Sequence, residues 1–391
     1  MRVALVHDWL VQPGGGEDVL RVVRATFPDS QVFALIDFLS PADRERLGVG
    51  RVTTSPLQRL PFARTRYRSL LPLMPWAVER LDVSAFDAVL SISHAVAKGV
   101  RTQPGQFHAC LCLSPMRYAW DLRGQYLAES GLDRGMKGWV ARRVLDRVQR
   151  WDLATSRRVH AWASISRYIA DRVRRAYGVE SRILFPPVDT AFFTPGGPRD
   201  DVYVTASRFV PYKRLDLIVR AFAAMPERRL VVIGDGPDRE KVRRAAGANV
   251  EFTGQLPREA VRAHLRRARA FVFAAEEDFG IAPVEAQACG TPVIAYGRGG
   301  ALETVVGLDA PGTVAGLDAP TGVFFGEQSE RSICAAIERF EAQSARFTVA
   351  ACRASAERFT VAAFEAGIRD LMESARRDFL RGASSAAPRP E

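Results

Sequence analysis

Glu285 follows Glu277 by eight residues in the stretch Glu277-Asp278-Phe279-Gly280-Ile281-Ala282-Pro283-Val284-Glu285. The apolar run 270–274 before it reads as a strand. Pro283 suits the first turn of a helix, where no N–H partner is needed. A helix that starts at the carboxyl end of a parallel strand offers free N–H groups and a positive dipole end to an anion. Gly280 lets the backbone approach such a ligand closely. Glu285 is suited to accept hydrogen bonds from ribose hydroxyls, and Glu277 from the hydroxyls of a sugar. Either glutamate alone also reads as charge that complements the helix dipole.

A second segment, Ser207-Arg208-Phe209-Val210-Pro211-Tyr212-Lys213-Arg214, carries cations after another strand. Arg208 and Lys213 there can neutralise a diphosphate and stabilise it as a leaving group. An isolated basic pair is more often a solvated loop. The acidic segment at the same edge of the same sheet weakens that reading. No Asp-x-Asp pair occurs in the chain, so a metal-bridged diphosphate of that kind is unsupported and no metal site is expected. Gln12-Pro13-Gly14-Gly15-Gly16-Glu17 permits a tight turn and close approach to phosphate, with Gly15 and Gly16 as its candidates. It is neither a G-x-G-x-x-G nor a Walker A pattern, and taken alone it reads more often as a plain loop. Gly234 and Gly254 end strands and are expected to shape a nucleotide pocket, though ordinary strand-to-helix turns also account for them. His94 ends a strand and is placed to reach a cleft; a lone histidine there is more often structural.

The elements that must hold these residues alternate. Short apolar runs at 3–7, 31–36, 88–93, 109–113 and 161–165 are separated by helical patterns. The pattern restarts at 202–207, 230–234, 250–253, 270–274, 292–295 and 323–325. Runs rich in Val, Ile, Leu and Phe with little polar alternation fit parallel strands covered on both faces. The fold class is therefore α/β, with two doubly wound sheets. Prolines and glycines at 186–198 mark a linker. The expected division is 1–190, 191–360, a final helix at 361–381, and a disordered tail at 382–391.

The 391 residues carry a net charge of +11, which favours anionic partners without choosing among them. Five cysteines with no C-x-x-C pair argue against a disulfide framework and for a reducing, cytoplasmic compartment. No run of 18 apolar residues predicts a membrane span. Arg59, Arg64, Arg66 and Arg68 alternate with Leu57, Leu60, Phe62, Tyr67, Leu70 and Leu71. Arg142, Arg143, Arg147 and Arg150 flank Val140, Val144, Val148 and Trp151. A basic amphipathic stretch can lie on an anionic membrane. We expect this of the first stretch, at the inner face of the plasma membrane. The second reads as a solvated face over a core stripe.

Together these segments resemble glycosyltransferase family 4, the retaining enzymes with the GT-B fold. The resemblance rests on the E-x7-E pattern at Glu277 and Glu285 in EDFGIAPVEAQACGTPVIA, on SRFVPYKRLD and on FPPVDTAFF. HDWLVQPGGGE and SPMRYAWD are similar to a subgroup associated with bacterial surface polysaccharide, such as lipopolysaccharide, and with mannosyl transfer. The resemblance implies two facing Rossmann-like domains, donor binding mainly by the second, acceptor binding mainly by the first, and a final helix that crosses back. The implied donor-binding residues are Gly15, Gly16, Arg208, Lys213, Gly234, Gly254, Glu277, Phe279, Gly280, Ile281 and Glu285. Those implied in catalysis are Glu277, Arg208, Lys213 and His94, with Arg117 and Tyr118 on the acceptor side. One departure stands out: Leu113 occupies the place where the family commonly carries a histidine.

The implied reaction moves a sugar, mannose from GDP-mannose, to a glycan or lipid-linked acceptor. The nucleotide sugar is a substrate, and no cofactor is expected. A front-face reaction, in which the leaving diphosphate takes the acceptor proton, needs positioning and electrostatics rather than a protein nucleophile. A sugar-nucleotide epimerase and a degenerate sugar-nucleotide-binding protein are the rivals. Nucleic acid is not expected as a partner, since charge alone suggests it.

Overall fold

Among the described residues thirteen strands alternate with helices, and the central strands form where apolar runs are buried on both faces. Strands β1 (Val3–His7), β4 (Ala88–Ser93) and β5 (Phe107–Cys112) are buried at every position. Around them run β2 (Gln31–Ala34), β3 (Val52–Thr54), β6 (Ala161–Ser164) and β7 (Arg182–Ile183). The second series is β8 (Val202–Ala206), β9 (Arg229–Ile233), β10 (Val250–Gly254), β11 (Ala270–Phe273), β12 (Val293–Tyr296) and β13 (Gly322–Phe325). The computed structural model describes all residues except 122, 130, 133, 310–316 and 386–391.

The strands form two sheets, in the orders β3-β2-β1-β4-β5-β6-β7 and β10-β9-β8-β11-β12-β13. Every pairing is parallel. The chain thus carries two doubly wound α/β sheets, each with its own core. In the first sheet the winding reverses between β1 and β4, and in the second between β8 and β11. Such switch points open a crevice outside the carboxyl ends of the strands, where ligands of open α/β sheets bind. All eleven expected strands end within two residues of their expected bounds on both sides, and β1 and β4 match at both ends. The short β3 and β7 were not expected. Neither has an apolar run: β3 is half-buried throughout, and Arg182 of β7 is exposed.

Two compact units result: Met1–Phe185 with Phe364–Glu391, and Pro186–Ala363. The break falls at Phe185, the start of the proline-rich stretch. The final helix, Val361–Ser385, buries Phe364, Ile368, Leu371 and Met372, a stripe at helical spacing. Within the first unit its Phe379 ring lies 4.3 Å from the ring of His160, and Asp370 pairs with Arg182 at 2.5 Å. The helix runs through 382–385, which were expected to begin a disordered tail, because its hydrogen-bonded register continues past Gly382. The rest of that expected tail, 386–391, lies outside the described residues.

Candidate functional site

At the switch point of the second sheet, two loops meet because glycines let them. The chain leaves β8 through Ser207 and Arg208, and leaves β9 through Gly234-Asp235-Gly236. Ser207 N–H donates to Ile233 O at 3.0 Å, and Phe209 N–H to Asp235 O at 3.0 Å. A Cβ on Gly234, whose φ is +126°, would stand 2.0 Å from Ser207 O, so only glycine fits there. Beyond this junction the turn Pro211–Lys213 leads through Arg214, in the left-handed region at φ 52°, into the helix Leu215–Ala223. Arg214 Nη1 donates to Gln328 Oε1 at 3.1 Å, and Gln328 Nε2 donates to Ala274 O at 2.7 Å. That relay ties the basic loop to the end of β11.

The tie brings together the two motifs of opposite charge. Lys213 Nζ is paired with Glu277 Oε1, and both side chains are more than four-fifths buried. Arg208 is exposed, and no carboxylate pairs with it among the described residues. The acidic loop is braced from behind by a glycine pair that sequence reading overlooked. Gly300 N–H donates to Glu277 O at 2.8 Å, and a Cβ on Gly300 would lie 2.3 Å from Phe279 Cα. Gly299, at φ +63°, packs as tightly on Glu277 O.

The helix Ile281–Ala288 starts from Gly280 at φ 90°. Ile281 and Glu285 are half-buried near its start. Phe279 precedes Gly280 in the acidic loop. The residue is 3% exposed, and its ring packs edge-on against Phe359, 5.2 Å away. Gly254, at φ +71°, has open space where a Cβ would be and accepts from Gly234 N–H at 2.8 Å. Among the described residues no group of three or more His, Cys, Asp or Glu is arranged to hold a metal.

The first unit holds a separate cluster at its own switch point. Asp8, just past β1, is fully buried. Its two oxygens accept the N–H groups of His94, Ala95, Val96 and Ala97 at 2.7, 3.0, 2.6 and 2.7 Å. His94 Nδ1 lies 3.1 Å from Asp8 Oδ2. Trp9 meets the His94 ring edge-on at 4.6 Å, and the His7 ring is 5.9 Å away. His7 Nε2 is 3.7 Å from Glu17 Oε1. Burial works to lower the His7 pKa, but the Glu17 and Asp8 carboxylates more than offset it, and the value is raised. His94 shifts the other way: burial, helped by the positive charge of His7 and Arg117, holds it below the ordinary imidazole value.

Gly15 and Gly16 open the helix Gly15–Thr26 beside this cluster, in a different unit from the other donor-binding candidates. Leu113 lies over Gly16, with Cδ1 3.2 Å from where a Cβ would be. Arg117 and Tyr118 are half-buried, and Tyr118 is T-stacked on Tyr126. Sequence reading chose His94 but passed over His7, Asp8 and Glu17. The available signal was a polar His-Asp pair closing an otherwise apolar strand.

Comparison with known proteins bears on the fold and on the second unit. Residues 192–366 match the family described as Glycosyl transferases group 1. A GDP-mannose-dependent alpha-(1-6)-phosphatidylinositol monomannoside mannosyltransferase of Mycolicibacterium smegmatis is 34% identical over 174 residues, 36% of this chain and 45% of that protein. The chain spans about half the length of the curated relatives it matches. A crystal structure of Anabaena Alr3699/HepE in complex with UDP aligns with a TM-score of 0.69 at 16% identity, covering 96% of this chain and 100% of that one. The lipopolysaccharide outer core galactosyltransferase WaaB aligns at 0.61 with 16% identity, covering 96% and 99%. The chain has the GT-B fold of these structures.

Proposed function

We propose that the protein is a retaining, metal-independent glycosyltransferase that moves mannose from GDP-mannose to a glycan or lipid-linked acceptor in surface polysaccharide synthesis. The observation that carries this reading is the Lys213–Glu277 pair beside the exposed Arg208 at the switch point of the second sheet. In it, Arg208 and Lys213 neutralise the diphosphate, the start of the helix Ile281–Ala288 receives phosphate oxygens, and Glu285 holds the ribose. Glu277 orients the donor sugar. These groups stabilise charge on the departing diphosphate, which takes the acceptor proton. Its similarity to GDP-mannose-dependent mannosyltransferases supports GDP-mannose as the donor. The absence of an Asp-x-Asp pair from the sequence supports metal independence.

Acceptor handling falls to the first unit, and its surface supports contact with an anionic membrane. Phe62 is 70% exposed and Trp76 47%. Arg66 and Arg80 stack over these rings at 5.8 and 4.6 Å. Arg59, Arg64 and Arg68 are also exposed, and no carboxylate pairs with any of the five among the described residues. Leu57 and Tyr67 of the same stretch point into the core. The second basic stretch buries Val148 but leaves Met136, Trp139 and Val140 exposed at the start of its helix, Gly135–Ser156.

The test is a panel of GDP- and UDP-sugars scored for protection against thermal unfolding, since a ligand that binds only the folded state stabilises it. GDP-mannose should give the largest rise. A UDP-sugar that protects better sinks the donor assignment, and a flat panel sinks the function. Glu277→Gln should then lower transfer roughly a hundredfold or more, and chelation by EDTA should leave the wild-type rate unchanged.

A further inference from the structure

Asp8 has more donors than its place at a strand end requires. Its carboxylate accepts four successive backbone N–H groups, which orient both oxygens. The fifth contact is His94 Nδ1 at 3.1 Å. A carboxylate only accepts, so an oxygen this close favours the tautomer with its hydrogen on Nδ1. The edge-on Trp9 ring sets the plane of the imidazole. The His94 side chain is 30% exposed, and no group among the described residues bonds Nε2.

We infer that Asp8 and His94 form a dyad in which Asp8 fixes the Nδ1–H tautomer, presenting Nε2 as a hydrogen-bond acceptor for a hydroxyl of the acceptor saccharide. His94 would touch the substrate, and Asp8 is a positioning residue. The surrounding charges suit this division. His7 and Glu17 pair with each other, while Asp8 and Glu17 pull His94 towards protonation and His7 and Arg117 oppose it. Burial decides the balance in favour of the neutral ring. Paired titratable groups driven in opposite directions are a mark of divided acid–base roles. Leu113 fills the space over Gly16 with an apolar side chain, so His94 is the exposed imidazole of this crevice. The identity of the hydroxyl rests on the glycosyltransferase reading; the tautomer does not.

The experiment is long-range nitrogen–proton NMR at neutral pH on the full chain labelled with nitrogen-15 histidine, with His94 assigned through His94→Gln. A protonated Nδ1 with a bare Nε2 is expected. The opposite tautomer, or a doubly protonated ring, overturns the dyad whatever the activity of the protein. Methyl α-mannoside should then shift the Nε2 resonance, and no shift at saturating sugar overturns the hydroxyl role. Asp8→Asn, if it folds, should exchange the tautomer and raise the acceptor KM about 10–100-fold with the donor KM unchanged, the range for loss of an orienting partner. Equal loss towards both substrates would reduce Asp8 to a structural carboxylate.

Discussion

At the residue scale, His108 illustrates how a buried imidazole couples stability to pH. It lies in β5 with Nε2 2.9 Å from Ser91 Oγ. Burial first, then the neighbouring charges of His160, Arg158 and Lys98, push its pKa down to about 3. In the unfolded chain the value returns to about 6.5. Between these two values the unfolded state binds a proton that the folded state refuses. The stability that follows is fully present above about 6.5 and is lost as pH falls through that window, by up to about 1.4 kcal/mol per pH unit. His94 and His160, also lowered, act in the same sense. His7 is raised, so its contribution is present below about 6.5 and fades as pH rises. Urea midpoints measured from pH 7 to 5 should therefore decline on acidification, before the carboxylates titrate. His108→Gln should flatten that slope; an unchanged slope would show that another group carries it.

At the element scale, the loop that carries Glu277 keeps its shape because Gly299 and Gly300 leave room for it. Adding one methyl at Gly300 sets a carbon 2.3 Å from Phe279 Cα and 2.5 Å from Phe279 O. Those are backbone atoms, so the loop must move rather than a rotamer. Gly300→Ala should cost about 1–3 kcal/mol of stability and weaken donor binding at least tenfold, read by calorimetry. Gly254→Ala is the contrast. Its Cβ would meet open space, and only the positive φ is penalised, at about 1–2 kcal/mol. Donor affinity in Gly300→Ala equal to that of the unaltered protein would mean that Gly300 does not shape the site.

At the scale of the whole molecule, charge is the dominant fact. The chain carries 55 Lys and Arg against 44 Asp and Glu, and five exposed arginines of the first unit lack carboxylate partners among the described residues. No described helix is long and apolar enough to cross a membrane. Vesicles of phosphatidylglycerol should capture the protein at low salt and release it at high salt, because screening shortens the reach of surface charge. Phosphatidylcholine vesicles should not capture it. Phe62→Ala with Trp76→Ala should weaken capture without altering donor binding, since a basic amphipathic surface holds a bilayer through both charge and apolar insertion. Capture by neutral lipid, or retention in high salt, would contradict an electrostatic attachment.

Much of this architecture is written locally. Parallel strands such as β1 and β4 announce themselves because burial on both faces demands an unbroken apolar run, and Gly280 with Pro283 marks a helix start. The charges at Glu277, Arg208 and Lys213 were visible for the same local reason. What local sequence leaves open is which of these residues meet. Strand order sets Lys213 against Glu277, because β8 and β11 are neighbours despite 63 intervening residues. Strand order also sets Asp8 beneath His94, joining the ends of β1 and β4. The final helix shows the same division. Its apolar stripe can be read from spacing, yet its return to the first unit depends on the partners it finds there, Leu184, His160 and Phe107. The sequence by itself determined the two wound sheets and the residue types of the site. Only the tertiary structure decided the pairings, because they depend on contacts between segments distant in the chain, which no local pattern encodes.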